Sequence, residues 1–133
     1  MLDMNSSLLN VQAVGANETI NQPTIYIAGP MTGYPDFNFD AFFEVAEAFE
    51  EGGWLVYNPA QRDLDMWGTM EGIKEAFEED REAAIRECLL WDLSSICQFC
   101  DAIAMLPGWE KSFGAKAEHA TAVALGLQII YLS

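Results

Sequence analysis

Residues 101–132, "DAIAMLPGWEKSFGAKAEHATAVALGLQIIYL", decide the fold. "DAIAML" is a short apolar run of the kind that forms a buried strand. "PGWEKSFG" brings one proline and two glycines together and reads as a loop. "GAKAEHATAVALG", residues 114–126, is a helix stopped by Gly126, and "LQIIYL" returns to a strand. A strand, loop, helix and strand in one short span form a βαβ unit, whose crossover helix requires parallel strands.

The same alternation runs upstream. "TIYIAG", residues 24–29, is a strand ending at Gly29, and "PMTGYPDFN" is a loop. "FDAFFEVAEAFEEGG" is an amphipathic helix, with Asn38 expected as its cap and Gly52 and Gly53 as its end. "WLVYN" is a second strand stopped by Pro59. Residues 61–75, "QRDLDMWGTMEGIKE", mix Trp, Gly and charge and take no assignment. A helix is expected from about Phe77 through "REAAIRECLLWDLSSICQF". The pattern predicts an α/β fold: a Rossmann-like (flavodoxin-like) parallel sheet of about four to five strands with helices on both faces. Residues 1–22 are polar and irregular and are expected to be a flexible extension to a domain spanning 23–133.

Composition narrows the function classes. The chain of 133 residues is 51% hydrophobic, enough for one core. Six Lys and Arg against 21 Asp and Glu give a net charge of −15, which leaves no basic patch for a nucleic-acid polymer. An acidic decoy that imitates DNA remains an alternative. No apolar run reaches the roughly 18 residues of a membrane span, and no basic segment precedes the apolar amino-terminal stretch. A cytoplasmic protein without membrane partners is expected. Cys88, Cys97 and Cys100 are an odd set, and "CQFC" stands before a strand rather than at a helix start, so reduced structural thiols are expected. His119 is the single histidine, too few for a zinc set with these cysteines, and no metal or cofactor is expected. Neither GxGxxG nor GxxxxGK[ST] occurs.

In such sheets ligands bind beyond the carboxyl ends of the strands. The loops after the first three strands fall there, as does the amino end of the 114–126 helix. Glu118 lies near that helix start. It is either a carboxylate favoured by the helix dipole or a nucleophile kept ionised by the same field. Asp92 interrupts an otherwise apolar row, Ile85, Leu89, Asp92, Ile96 and Phe99. A charge facing the core is costly unless paired. Asp92 is therefore either satisfied by a backbone group or by Arg62, Arg81 or Arg86, or it projects into a pocket. Two acids converging on one pocket suit glycosyl transfer. Ser112 is the natural cap of its helix, and His119 is a surface or packing residue. Tyr26, Trp54, Trp67, Trp91 and Trp109 read mostly as core or pocket wall. Trp109 and Tyr34 are also candidates for stacking on a base.

"YIAGPMTGYPDFNFDAFFEVAEAFEEGGWLVYNPA", with the "LPGWEKSFGAKAEH" segment, resembles a phage- and prophage-associated family grouped with the nucleoside 2-deoxyribosyltransferase-like proteins. The resemblance covers about residues 24–132. It implies cleavage of the N-glycosidic bond of a nucleoside or nucleoside 5′-monophosphate. The relatives' Ser-x-Gly-x-x-x-Glu arrangement is present as Ser112, Gly114 and Glu118. Glu118 is then the nucleophile and Asp92 the acid assisting the leaving base. Tyr26 and the loop Gly29, Pro30, Met31, Thr32 and Gly33 are implied to hold the sugar. Asn58, Gly108, Trp109, Ser112 and Gly114 complete the implied substrate contacts, Ser112 at the 5′-oxygen or phosphate. Thr32 stands where nucleotide-cleaving relatives carry arginine, and His119 where relatives carry an aliphatic residue. A homodimer or larger homo-oligomer is implied. A non-catalytic nucleotide-binding module of the same fold is the alternative.

Overall fold

The computed structural model describes residues 22–133. The expected extension over residues 1–22 therefore lies, Gln22 apart, outside the described residues. The strands are β1 (Thr24–Ala28), β2 (Leu55–Tyr57), β3 (Ala102–Met105) and β4 (Gln128–Tyr131). The helices are α1 (Phe39–Glu51), α2 (Pro59–Trp67), α3 (Met70–Glu79), α4 (Arg81–Phe99) and α5 (Phe113–Leu125). Short 3-10 turns occupy Pro35–Asn38 and Trp109–Lys111. The sheet has four strands in the order β2-β1-β3-β4, and every neighbouring pair is parallel. The architecture is thus α/β and Rossmann-like, with the strand order of flavodoxin-like sheets. No helix among the described residues is long and apolar enough to cross a membrane.

Side-chain alternation divides the core between the two faces. Tyr26, Ala28, Ile103 and Met105 pack with Ile96 of α4, with Cys100 just past its end, and with Ala115 and Ala122 of α5. Ile27 packs on the other face against Phe39, Phe42 and Ala46 of α1. Each such Ile or Phe contributes about 1.5–3 kcal/mol on full burial. β1 and β3 are buried throughout because they are central, whereas the edge strands β2 and β4 are only partly covered. Asp101, just before β3, accepts the Thr24 N–H at 2.9 Å and satisfies the first donor of β1.

The stretch without assignment, 61–75, belongs to two capped helices. Asn58 Oδ1 accepts from Ala60 N at 3.0 Å ahead of Pro59, and Gly68, at φ 85°, ends α2. Thr69 Oγ1 then accepts from Gly72 N at 2.9 Å and starts α3. The helix expected from about Phe77 to Phe99 is broken at Asp80, whose side chain accepts from Ala83 N at 3.1 Å and opens α4. Asn38 does not cap α1 with its side chain. It sits at φ 63°, and its amide donates to Pro30 O at 2.9 Å, which closes the first loop.

The row read on α4 also shifts. Ala84, Asp92, Ser95 and Ile96 are buried, whereas Ile85 and Phe99 are exposed, Phe99 lying parallel to the Tyr57 ring at 5.7 Å. Strands of three to five residues span only about 10–17 Å, against about 28 Å for the 19 residues of α4, so the two ends of the row overhang the sheet. Asp92, at its centre, does not.

Candidate functional site

The chain leaves β1 first for β2 on one side and later returns to β3 on the other, so the topological switch point lies between β1 and β3. There the first loop meets the loop after β3. A Cβ on Gly29 would lie 2.6 Å from Leu106 Cβ. A Cβ on Gly108, already at φ 87°, would lie 2.7 Å from the Tyr34 hydroxyl. Asp36, Phe37 and Asn38 all have positive φ, at 48°, 55° and 63°. Left-handed backbone costs a non-glycine residue roughly 1–2 kcal/mol, so the packing of this loop holds it against strain. Gly29→Ala is expected to destabilise the protein by about 1–3 kcal/mol, because Leu106 Cβ is fixed to backbone and cannot swing aside. Urea unfolding checks this, and an unchanged midpoint would show that the loops need not touch.

Beneath the loops, β1, α4 and α5 bring Tyr26, Asp92 and Glu118 together. Tyr26 is fully buried, and its hydroxyl donates to Glu118 Oε2 at 3.0 Å. Glu118 and Asp92 are 5% and 8% exposed. Burial, then the charge of Asp92, raises the Glu118 pKa well above the usual carboxylate range. Burial also pushes Asp92 up to about 6, against the opposing pull of hydrogen bonds with Glu118 and Tyr26 and of the Arg62 charge. The helix-start expectation for Glu118 is thus corrected. It lies beyond the first turn of α5, and burial outweighs the dipole, so the resting carboxyl tends to keep its proton. Tyr26 is pushed up by burial and by the same two acids.

None of the expected arginines lies within ion-pair distance of Asp92 among the described residues. Arg86 pairs with Glu82 at the surface, at 2.8 Å. Arg62 Nη2 is 2.6 Å from Glu87 Oε2, and the guanidinium lies 5.6 Å and 5.7 Å from the Trp67 and Trp91 ring centroids. Its buried Nη1 has no hydrogen-bond partner among the described residues and is 3.6 Å from Asp63 Oδ1.

Asp63 is the residue the sequence reading missed. It is 5% exposed, and burial and then Asp92 raise it to about 7, with Arg62 pulling the other way. The signal was present: Ala60, Asp63, Leu64 and Trp67 recur at the spacing of one helix face, with a charge in the row. It stayed invisible while that region lacked a helix.

The other expected contacts are spread along the same edge. Pro30 is buried, Met31 half-buried, and Thr32 and Gly33 are exposed. Ser112 caps α5, accepting from Ala115 N at 3.2 Å. At Gly114 an added Cβ would meet nothing within 4 Å, so close packing does not require that glycine. His119 takes up one face of Trp109, stacked at 4.3 Å, and its Nε2 is hydrogen-bonded to the Tyr131 hydroxyl at 2.8 Å. That leaves Trp109 only its other face for a base. Asn58 is committed to its cap but also lines an open cleft of about 610 Å³ at the β2 edge, with Tyr57, Arg62 and Trp91. Tyr26, Asp92 and Glu118 do not line this cleft. Trp91 connects the two regions, its ring 6.4 Å from that of Tyr26.

Cys88, Cys97 and Cys100 are free thiols, and burial holds Cys100 up at about 12. Among the described residues no three His, Cys, Asp or Glu side chains are grouped to hold a metal ion.

Fold and site together define a flavodoxin-like α/β protein with a buried tyrosine–carboxyl cluster behind its topological switch point. Residues 23–131 match the family described as "Domain of unknown function (DUF4406)", and the chain belongs to that family. No curated protein matches it.

Proposed function

We propose that the protein is an N-glycosidase or deoxyribosyltransferase that cleaves the base–sugar bond of a nucleoside or nucleoside 5′-monophosphate through Glu118. The observation that carries this reading is the buried contact of Tyr26 with Glu118 beside Asp92, at the sheet edge where ligands of such folds bind. A carboxyl cluster with its pKa values pushed up is costly to the fold, which is characteristic of sites that handle protons. The sequence resemblance assigns the same two acids.

In this mechanism the proton held on Glu118 first passes to Asp92, and the Glu118 carboxylate then attacks the anomeric carbon. The glycosidic bond breaks, its electron pair goes to the base nitrogen, and Asp92 supplies the proton that the base takes away. The Tyr26 hydroxyl holds Glu118 in place. Water or an acceptor base then attacks the glycosyl ester, its proton passes to Asp92, and Glu118 is freed. Substrate entry must uncover Glu118, and the strained loop over the switch point is the natural part to move. Ser112 and the start of α5 would meet the 5′ group, where Thr32 offers no charge to a phosphate. The cellular setting that fits this chemistry is the cytoplasm, with a homodimer or larger homo-oligomer as the assembly.

The low exposure of both acids beside an open cleft favours a second reading, a nucleotide-binding module without turnover. The panel that separates them contains ribo- and deoxynucleosides and their 5′-monophosphates, with and without an acceptor base. Base release measured by chromatography supports the enzyme. Binding of a panel member by calorimetry with no release from any of them overturns it in favour of the module.

A further inference from the structure

We infer that the face built by α5 and the outer edge of β4 is the contact between two copies of this chain, which pair their β4 strands antiparallel about a twofold axis near Ile130. This contact gives the proposed homo-oligomer its surface and does not depend on the glycosidic reading.

Charge picks out the face. Of the 21 Asp and Glu, one falls in residues 111–133, and that one is Glu118, which is 5% exposed. The same stretch carries Lys111 and Lys116, and it presents Phe113, Val123 and Tyr131 at 87%, 55% and 60% exposure. Two copies, each of net charge −15, repel wherever their acids meet, so they approach most readily where acids are missing. A basic partner would be drawn to the rest of the surface instead. A second copy is the occupant that this distribution favours.

The sheet edge sets the register. Gln128 N–H donates to Asp101 O at 3.3 Å and Leu132 N–H to Met105 O at 2.9 Å, so the even-numbered residues of β4 turn toward β3. Ile129 and Tyr131 turn their N–H and C=O groups to the open edge. Antiparallel pairing about Ile130 sets Ile129 of each copy opposite Tyr131 of the other, and each such pair exchanges two hydrogen bonds. Residues 127–133, "LQIIYLS", carry no charge and no proline to guard this edge. The other edge strand, β2, is guarded. It is three residues long, Pro59 follows it, and Glu47, Glu50 and Asp65 line the cleft beside it.

α5 fits the same axis. The hydrogen bond between His119 and Tyr131 brings α5 against the β4 edge, and Val123 lies one turn further along the same side of the helix. That turn of about 6 Å carries Val123 just past the level of Ile130. The two α5 helices therefore meet near Val123, with the exposed Ala120 and Ala124 beside it.

The test is sedimentation velocity of the full chain over a range of protein and salt concentrations, with amide hydrogen exchange read at each residue of β4. The parent protein is expected to form dimers that tighten as salt screens the remaining repulsion. The Ile129 and Tyr131 amides should gain protection as the dimer forms. Val123→Glu sets like charges across the axis and should raise the dissociation constant by about a hundred-fold or more. Glutamate is the better helix former and Val123 faces solvent, so the fold should survive the change. Mixing this variant with Val123→Lys should restore dimers. A monomer at every concentration overturns the contact together with the proposed assembly, and leaves the glycosidic reading to the base-release panel. Dimers indifferent to Val123→Glu, or with Ile129 and Tyr131 amides that still exchange freely, overturn this face alone. Assemblies that loosen with salt and grow beyond the dimer would join Lys111 and Lys116 to an acidic surface of the next copy, and would overturn the twofold contact. Should Val123→Glu fail to fold, protection of the two amides in the parent protein decides.

Discussion

Glu118→Gln is expected to lower base release by about a thousand-fold or more while raising the melting temperature at pH 8. The first effect follows from the loss of the only oxygen able to form the glycosyl ester, since the amide is not nucleophilic enough to replace it. The second follows from burial. Glutamine keeps the volume and offers an amide oxygen to the Tyr26 hydroxyl, which donates to Glu118 at 3.0 Å. It also removes the electrostatic cost of a group that is 5% exposed and set beside Asp92. The gain in stability is expected to be larger at pH 8 than at pH 5, because burial and the Asp92 charge raise the Glu118 pKa and make its ionised form the costly one. Glu118→Ala is the less informative variant, because it leaves a cavity and an orphaned Tyr26 hydroxyl costing about 1–3 kcal/mol. Chromatographic assay and thermal melts at the two pH values check both halves. A Glu118→Gln protein that melts lower at pH 8 would show that the ionised carboxylate is a structural anchor and not a stored cost.

The βαβ alternation was legible because its signals are local. Apolar runs, glycine stops and helical spacing need no knowledge of partners, and "TIYIAG" and "DAIAML" became the two central strands. Asp92 was legible for a related reason: a charge in an apolar row stands out before any neighbour is known. The ends of that row failed because α4 is longer than the short strands it covers, which leaves Ile85 and Phe99 exposed near its two ends. Glu118 failed electrically rather than positionally. Its place near a helix start suggested an ionised acid, whereas its pKa is set by burial between β1 and α4, which only the tertiary fold supplies. Asp63 was lost through one missed helix. The Asn58-Pro59 start and the Gly68-Thr69 break were capping signals in plain view, but Trp67 and the charges around it obscured the helical period. The joining of Asp63 to Asp92 needs α2 to pack on α4, and no spacing in the sequence encodes that contact.

The buried acids also predict that the fold weakens as the pH rises, the reverse of the behaviour of proteins held by paired carboxylates. Asp63 and Asp92 have folded-state values of about 7 and about 6, against 3.8 for the free side chain. The folded protein therefore binds these protons more tightly than the unfolded chain does. Their stabilising contribution is complete below about pH 4 and is lost as the pH rises through 6 and then 7. Over pH 5 to 8 the two groups together remove on the order of 4 kcal/mol, and Glu118, raised in the same direction, adds to the slope. The melting temperature is expected to fall by roughly 15 °C across that window. The net charge of −15 also opposes compactness, but moderate salt screens repulsion between surface charges. The buried contribution should therefore persist in about 0.5 M salt, whereas a surface effect should fade with a Debye length of only a few ångströms. Asp63→Asn should flatten the pH dependence, because it removes the group with the higher folded-state pKa. Melts of both proteins at pH 5, 6, 7 and 8 decide the matter. A parent protein whose melting temperature is level or rises toward pH 8 would mean that these carboxyls are not buried together in solution, and the acid cluster would lose its claim to be the site.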